Sequence, residues 1–196
     1  MFKVSRIVGV CVLMASLFVS PPATQALDLG KIAQFAGGAV TSIFIHEGGH
    51  TLVAWLYGAD TSLAGLAGTD AAFPDDPDHT NPKYFQAYQS ISLGGYLAQN
   101  ITAEFILQRK DQHDNPFALG ILSMGLATNL NNVTSFYLFG KKHGLDLEAY
   151  EKWGGNPALP ATLMVAYSLF SLYRIFNETN IVPYMGRNML GINISF

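Results

Sequence analysis

The sequence predicts an all-α protein, a multi-helix bundle embedded in a membrane, with its metal-binding motif on the first helix after an export signal. Composition is the first observation: 49% of the 196 residues are hydrophobic and only 13% are charged, about half the usual charged share. The second is a series of four helical segments, each near the roughly 20 residues that cross a bilayer, of which only the last is strongly apolar. A soluble exported bundle is the alternative, because small residues at helix contacts and inward-facing polar residues are typical of both.

The N-terminal residues have the pattern of a secretory signal. Lys3 and Arg6 precede an apolar run, and small residues around Ala26 offer a cleavage site. An uncleaved membrane anchor is the alternative, and either one directs the chain into or across a membrane. We therefore divide the chain into a signal peptide or anchor at residues 1–26, a helical domain at residues 27–180 and a C-terminal tail at residues 181–196.

The first helix after the signal is predicted at residues 32–57 and contains His46, Glu47 and His50. Residues four apart lie on one helical face, so both imidazoles can bind one ion. Zinc accepts such nitrogen ligands, and its catalytic sites use three protein ligands and a water. Glu47 suits a general base that takes a proton from that water. Gly58 is a favourable residue for ending the helix.

The rest of the domain is predicted as three further helices joined by loops. Residues 59–81 contain glycines, prolines and an acidic run, which indicates a long loop that is either a lid over the site or disordered. The tail ends in alternating apolar and polar residues, which is typical of a strand and indicates a short docking segment. The three helices are predicted at residues 84–107, 116–139 and 157–176.

The stretch from His46 to Gly58 resembles the zinc helix of site-2-protease-like membrane metallopeptidases, in which His-Glu-x-Gly-His is followed by a small residue and a glycine. Gly94, Gly95 and Tyr96 resemble a glycine-tyrosine patch on the next helix of the short, compact members, and the acidic stretch with Asp146 resembles the one before their last helix. The resemblance implies an intramembrane zinc endopeptidase. His46 and His50 would be ligands and Glu47 the catalytic base.

The third metal ligand is argued from chemistry, because the Leu-Asp-Gly that supplies it in the family is absent. Asp146 is the first choice, since carboxylate oxygen is a normal zinc donor. Glu104 is the alternative, because an unpaired carboxylate in its apolar surroundings would be costly; pairing with Arg109 or a histidine would also explain it. Asn131 or Asn132 could hold the water or a substrate carbonyl, or bond to neighbouring helices. The other histidines, in polar loops, are expected to be solvated: His79, His113 and His143.

These observations predict a zinc-dependent endopeptidase of the cell envelope, in the bacterial inner membrane, acting on a protein or peptide substrate that is itself membrane-embedded. A non-catalytic helical protein that binds metal or a partner through the same pocket is the alternative. The net charge of −3 and the absence of a basic patch give no reason to expect nucleic acid. The single cysteine, Cys11, excludes a disulfide framework and a cysteine-based metal site.

Overall fold

The computed structural model describes residues 28–63, 68–138 and 146–179, and the backbone of residues 181–186 and 189–194. Helix predominates in this part of the chain, which confirms the all-α prediction at that level. The α-helices there are α1 (Leu29–Leu56), α2 (Phe85–Leu107), α3 (Pro116–Tyr137), α4 (Asp146–Lys152) and α5 (Ala158–Glu178). Two antiparallel hairpins pair β1 (Asp60–Leu63) with β2 (Thr69–Ala72) and β3 (Ile181–Gly186) with β4 (Met189–Ile194). The predicted signal segment lies outside the described residues.

Helix α1 carries the histidine motif and has a defined start and end. The side chain of Asp28 accepts hydrogen bonds from the backbone N–H groups of Gly30 and Lys31, at 3.0 and 3.2 Å, which satisfies donors that a helix start leaves unpaired. The chain leaves the helix at Gly58, whose φ of 78° lies in the left-handed region. The motif therefore lies in the second half of a long helix, as the sequence predicted.

Close helix crossings at glycines position α1 against its neighbours. A Cβ on Gly49 would lie 2.4 Å from the carbonyl oxygen of Gly94, and one on Gly94 would lie 2.6 Å from that of Gly49. Helix α3 approaches α1 in the same way, since a Cβ on Gly120 would lie 2.1 Å from the carbonyl oxygen of Phe35. Only glycine permits these approaches. The second glycine of the motif is therefore required by the crossing of α1 with α2.

The region predicted as a long loop contains the β1–β2 hairpin and a turn. Asp76 fixes the turn by accepting hydrogen bonds from the backbone N–H groups of Thr80 and Asn81, at 2.8 and 3.0 Å. Phe73 then packs against Tyr88 of α2, with ring centroids 5.3 Å apart. The hairpin contacts the second half of α1, and thus lies beside the histidine motif.

The short helix α4 was not predicted as a separate element. It packs against α2 and α3, and α5 packs against α3 and α2. Leu147 of α4 is completely buried, in one hydrophobic cluster with Tyr96, Ala161 and Met164. This anchor fixes the start of α4, where Asp146 lies, against the bundle. The tail forms the β3–β4 hairpin where a single docking strand was expected.

Of the described helices, only α5 is long and apolar enough to cross a membrane by length and composition. It is the last of the four predicted segments, the one that the sequence marked as most apolar. A core helix of a soluble protein can pass the same test, so this is weak support for a membrane location. Helices α1, α2 and α3 have the expected length but fall short in apolar character, because glycine and polar residues interrupt them.

Candidate metal centre

Three side chains converge where α1 faces the start of α4. The Nε2 atoms of His46 and His50 lie 3.0 Å apart, and the Asp146 carboxylate oxygens lie 3.1 Å from the first and 3.5 Å from the second. Ligands at about 2.0–2.1 Å from a tetrahedral zinc ion are separated from one another by about 3.3 Å. The spacing of these three donors is therefore close to that of a tetrahedral metal site.

Hydrogen bonds at the opposite ring nitrogens define the tautomers of both histidines. Nδ1 of His46 lies 3.0 Å from the side-chain oxygen of Gln99, and Nδ1 of His50 lies 2.6 Å from the backbone oxygen of Ile91. Both oxygens are acceptors, so each Nδ1 carries a proton and each neutral ring has its lone pair on Nε2. Two lone pairs and a carboxylate thus face one point, an arrangement that requires a proton or a cation between them.

Gln99 has a defined orientation because its amide nitrogen has its own acceptors. That nitrogen donates to the backbone oxygen and the hydroxyl of Ser42, both at 3.0 Å. The amide oxygen consequently faces His46. Ser42 and Gln99 are almost fully buried, so this chain of hydrogen bonds is protected from water and holds the His46 ring in place.

The two imidazoles fit against α2 only because residue 95 is glycine. A Cβ on Gly95 would lie 2.6 Å from Nε2 of His50 and 2.7 Å from Cε1 and Nδ1 of His46. Both histidines are buried, with 7% and 6% of their surface exposed. Buried imidazoles beside a carboxylate are more typical of a functional site than of histidines that are simply solvated.

Asp146 reaches the histidines from the first residue of α4, 100 positions after His46. The side-chain oxygen of Asn132 on α3 accepts a hydrogen bond from the backbone N–H of Leu147 at 3.3 Å, which fixes the start of this helix. Burial raises the pKa of Asp146, but the hydrogen bond that His46 donates when a proton occupies the cluster, the positive charge of the imidazoles in that protonated state and the Tyr96 hydroxyl outweigh it. The pKa of Asp146 therefore lies below its ordinary value, and the carboxylate is charged at neutral pH.

Glu47 directly follows His46 on α1 and is partly exposed, unlike the two buried histidines. Its carboxylate accepts a hydrogen bond of 3.1 Å from the hydroxyl of Thr69, the first residue of β2. The neighbouring Gly48 is exposed, and a Cβ there would meet no atom of the described residues within 4 Å. The hairpin thus orients the glutamate, and Gly48 leaves the adjacent surface of α1 free.

Glu104, the alternative third ligand, lies elsewhere in the bundle, and this corrects the sequence interpretation. One of its oxygens forms an ion pair of 2.7 Å with Arg174 of α5, and the other accepts a hydrogen bond of 2.9 Å from the Tyr167 hydroxyl. The other expectation for Glu104 was a pairing with Arg109 or a histidine. The carboxylate is paired with a basic residue, but that residue is Arg174. Glu104 therefore connects α2 with α5 and is not part of the cluster.

The two candidate asparagines have different positions. Asn131 is exposed, and its side-chain oxygen accepts a hydrogen bond from the Ser135 hydroxyl at 3.3 Å on the surface of α3. Asn132 is buried and holds the start of α4, as described above. Neither contact is that of a group directed at a substrate carbonyl.

His79 and His113 bond to the backbone oxygens of Ala71 and Leu107, whereas His143 lies outside the described residues.

The residues that sequence reasoning missed support the ligands from behind. Ile91, Gly95 and Gln99 recur at four-residue intervals and so share one face of α2. This spacing was visible in the sequence, but nothing indicated that the face would meet the histidines. Nothing in the sequence around Thr69 indicated its contact with Glu47, because that contact depends on the hairpin.

No protein-family model matches the chain, and no curated protein or solved structure matches it significantly.

Proposed function

We propose that this protein is a zinc-dependent endopeptidase of the cell envelope. The observation that carries the proposal is the convergence of two imidazole lone pairs and the Asp146 carboxylate on one point, with Glu47 directly after His46 on the same helix. A site that only stores metal has no use for a base next to its ligands. Asp146 supplies the third protein ligand that catalytic zinc sites use.

His46, His50 and Asp146 would hold the ion. When bound, zinc supplies a Lewis acid and an activated water. Glu47 is placed to accept a proton from that water and to pass it to the leaving amine. The hydrogen bond from Thr69 keeps its carboxylate directed rather than free in solvent. Gly48 leaves room for an extended substrate backbone beside the glutamate.

The donor set alone also suits non-haem iron, which binds two histidines and one carboxylate on one face. We favour zinc because of Glu47: a glutamate directly after the first histidine serves hydrolysis, and iron-dependent oxygen chemistry has no such requirement. Metal analysis of the protein purified without added metal distinguishes the two ions, and iron as the dominant metal would count against peptide hydrolysis.

We further propose that the protein belongs with the site-2-protease-like membrane peptidases and that its substrates are membrane-embedded. The crossing of α1 and α2 at Gly49 and Gly94 supports this. These two glycines belong to the two sequence motifs that resemble the family, and the close crossing gives a structural reason for both. So does the position of Asp146 just before the last helix. Both features would also serve another helical metal-binding protein, so activity must be tested directly.

Exposed apolar side chains support a membrane location. Charged residues are scarce: α1 contains Lys31 and Glu47, α2 contains Glu104, and α3 contains none. A soluble bundle normally covers its outer faces with charge. Large apolar side chains project outward from these three helices and from α5, among them Phe44, Leu52 and Trp55 on α1, Leu97, Ile101 and Phe105 on α2, Phe117 and Tyr137 on α3, and Leu163, Leu169, Phe170 and Tyr173 on α5.

The test is metal content and peptide hydrolysis measured on the same detergent-purified samples, with a panel of fluorescence-quenched peptides as substrate. We expect the wild type to hold about one zinc per chain and to hydrolyse members of the panel. Glu47→Gln should keep the metal and lose hydrolysis by about 10²-fold or more, whereas His46→Ala should lose both. Zinc without hydrolysis of any peptide, or full activity in Glu47→Gln, would contradict the proposal.

A further inference from the structure

Tyr96 is a buried tyrosine beside the candidate metal centre whose hydroxyl has no hydrogen-bond partner among the described residues. Only 3% of its surface is exposed. Its ring meets the His46 ring edge to face, with centroids 5.0 Å apart and planes at 85°. A buried hydroxyl normally forms a hydrogen bond, because leaving one unpaired costs about 1–3 kcal/mol. The exception at this position requires an explanation.

Packing alone does not account for a tyrosine here, because phenylalanine would make the same ring contacts. The ring lies among Leu147, Ala161 and Met164, all apolar. Tyr88, two turns earlier on α2 and equally buried, shows the usual arrangement: its hydroxyl donates to a carboxylate oxygen of Asp76 at 3.3 Å. The hydroxyl of Tyr96 is therefore the unusual feature of this helix.

The carboxylate of Asp146 is the acceptor that this hydroxyl can serve. Leu147, which lies in the same buried cluster as Tyr96, directly follows Asp146. The Tyr96 ring also packs edge to face against His46, whose Nε2 lies 3.1 Å from an Asp146 oxygen. At present both carboxylate oxygens are directed at the imidazoles. An ion between the three ligands would replace those contacts and free one oxygen for a donor.

We propose that Tyr96 is a positioning residue for the third metal ligand, donating its hydroxyl to the Asp146 oxygen that a bound ion leaves free. This inference rests on the proposed metal site and deepens it. An alternative role, contact with the substrate, is disfavoured because Tyr96 is buried among core residues, whereas Glu47 is partly exposed and Gly48 is exposed. Donors of this kind behind a ligand typically contribute 10–100-fold to metal affinity.

Tyr96→Phe tests the proposal because it removes the hydroxyl and keeps the ring. We expect zinc affinity, measured by competition with a chromogenic chelator, to fall by about 10–100-fold. The thermal unfolding midpoint of the metal-free protein should be unchanged or higher, because the substitution removes an unpaired buried hydroxyl. A purely structural tyrosine would lower that midpoint, so the two measurements together separate positioning from folding.

Tyr88→Phe is the matched control on the same helix. It should lower the unfolding midpoint of the metal-free protein, because Asp76 loses a donor, and leave zinc affinity unchanged. Equal zinc affinity in Tyr96→Phe and wild type, or a lowered metal-free midpoint in Tyr96→Phe, would overturn the inference while leaving the metal site intact. Failure of the wild type to bind zinc would instead reject the proposed function itself.

Discussion

Replacing Gly95 by alanine tests whether the two imidazoles have room only because α2 lacks a side chain at this position. The new Cβ would lie 2.6 Å from Nε2 of His50, whereas ordinary contacts begin at 3.4 Å, so the rings and helix must separate by about 0.8 Å. Metal ligands must be placed within about 0.2 Å. We therefore expect Gly95→Ala to lose zinc binding, although the change itself is a single methyl group.

The stability of the metal-free variant should change far less than its metal affinity. Overpacking of this kind costs about 1–3 kcal/mol, and alanine recovers about 1 kcal/mol relative to glycine within a helix. The net loss in the free energy of unfolding should then be about 0–2 kcal/mol. Chemical denaturation of the metal-free protein and chelator competition for zinc measure the two quantities separately.

Gly48→Ala is the control for helix propensity, because a Cβ at that position has no neighbour within 4 Å in the part of the chain that the structure describes. It should retain zinc and gain up to about 1 kcal/mol in the free energy of unfolding. If Gly95→Ala bound zinc as tightly as Gly48→Ala does, the packing argument would be refuted. The histidines would then not occupy the positions described against α2.

Two further substitutions separate the residues behind the ligands from those that only hold the bundle together. Gln99→Leu removes the acceptor for Nδ1 of His46, and zinc affinity in a chelator competition should fall by about 10–100-fold; an unchanged affinity would show that the ring does not depend on this contact. Arg174→Met leaves the Glu104 carboxylate without its ion-pair partner, so the unfolding free energy should fall by about 1–3 kcal/mol. Zinc content should stay at the wild-type level, and its loss would place Glu104 in the metal site after all.

Elements determined by local sequence were predicted well. Helix α2 begins one residue after the predicted start at residue 84 and ends at Leu107 as predicted, and α3 begins at Pro116. Proline at a first turn and glycine after a last turn act over a few residues, so they can be read from the chain. The β1–β2 hairpin and α4 were missed because long-range contacts define them: Thr69 meets Glu47, and Leu147 is buried against α2 and α5.

The site shows the same division between local and distant information. His46 and His50 were identified from their spacing alone, and Asp146 from donor chemistry and its place before the last helix. Glu104 was misinterpreted as a ligand candidate because its cation, Arg174, is 70 residues away. A lone acid in an apolar segment shows that a partner exists, but it does not show which one.

The role of α2 makes a chance pairing of histidines a poor explanation of the motif. Two core histidines that merely satisfied each other would need one hydrogen bond between them and no particular neighbours. Instead, Ile91 and Gln99 accept from the two Nδ1 atoms, and Gly95, halfway between them, provides the space that both rings occupy. The four-residue spacing of these α2 positions matches the four-residue spacing of the histidines on α1. Each helix therefore supplies one part of the same candidate centre: α1 the two histidines, and α2 the groups that orient them. Asp146 completes the candidate set of ligands from α4.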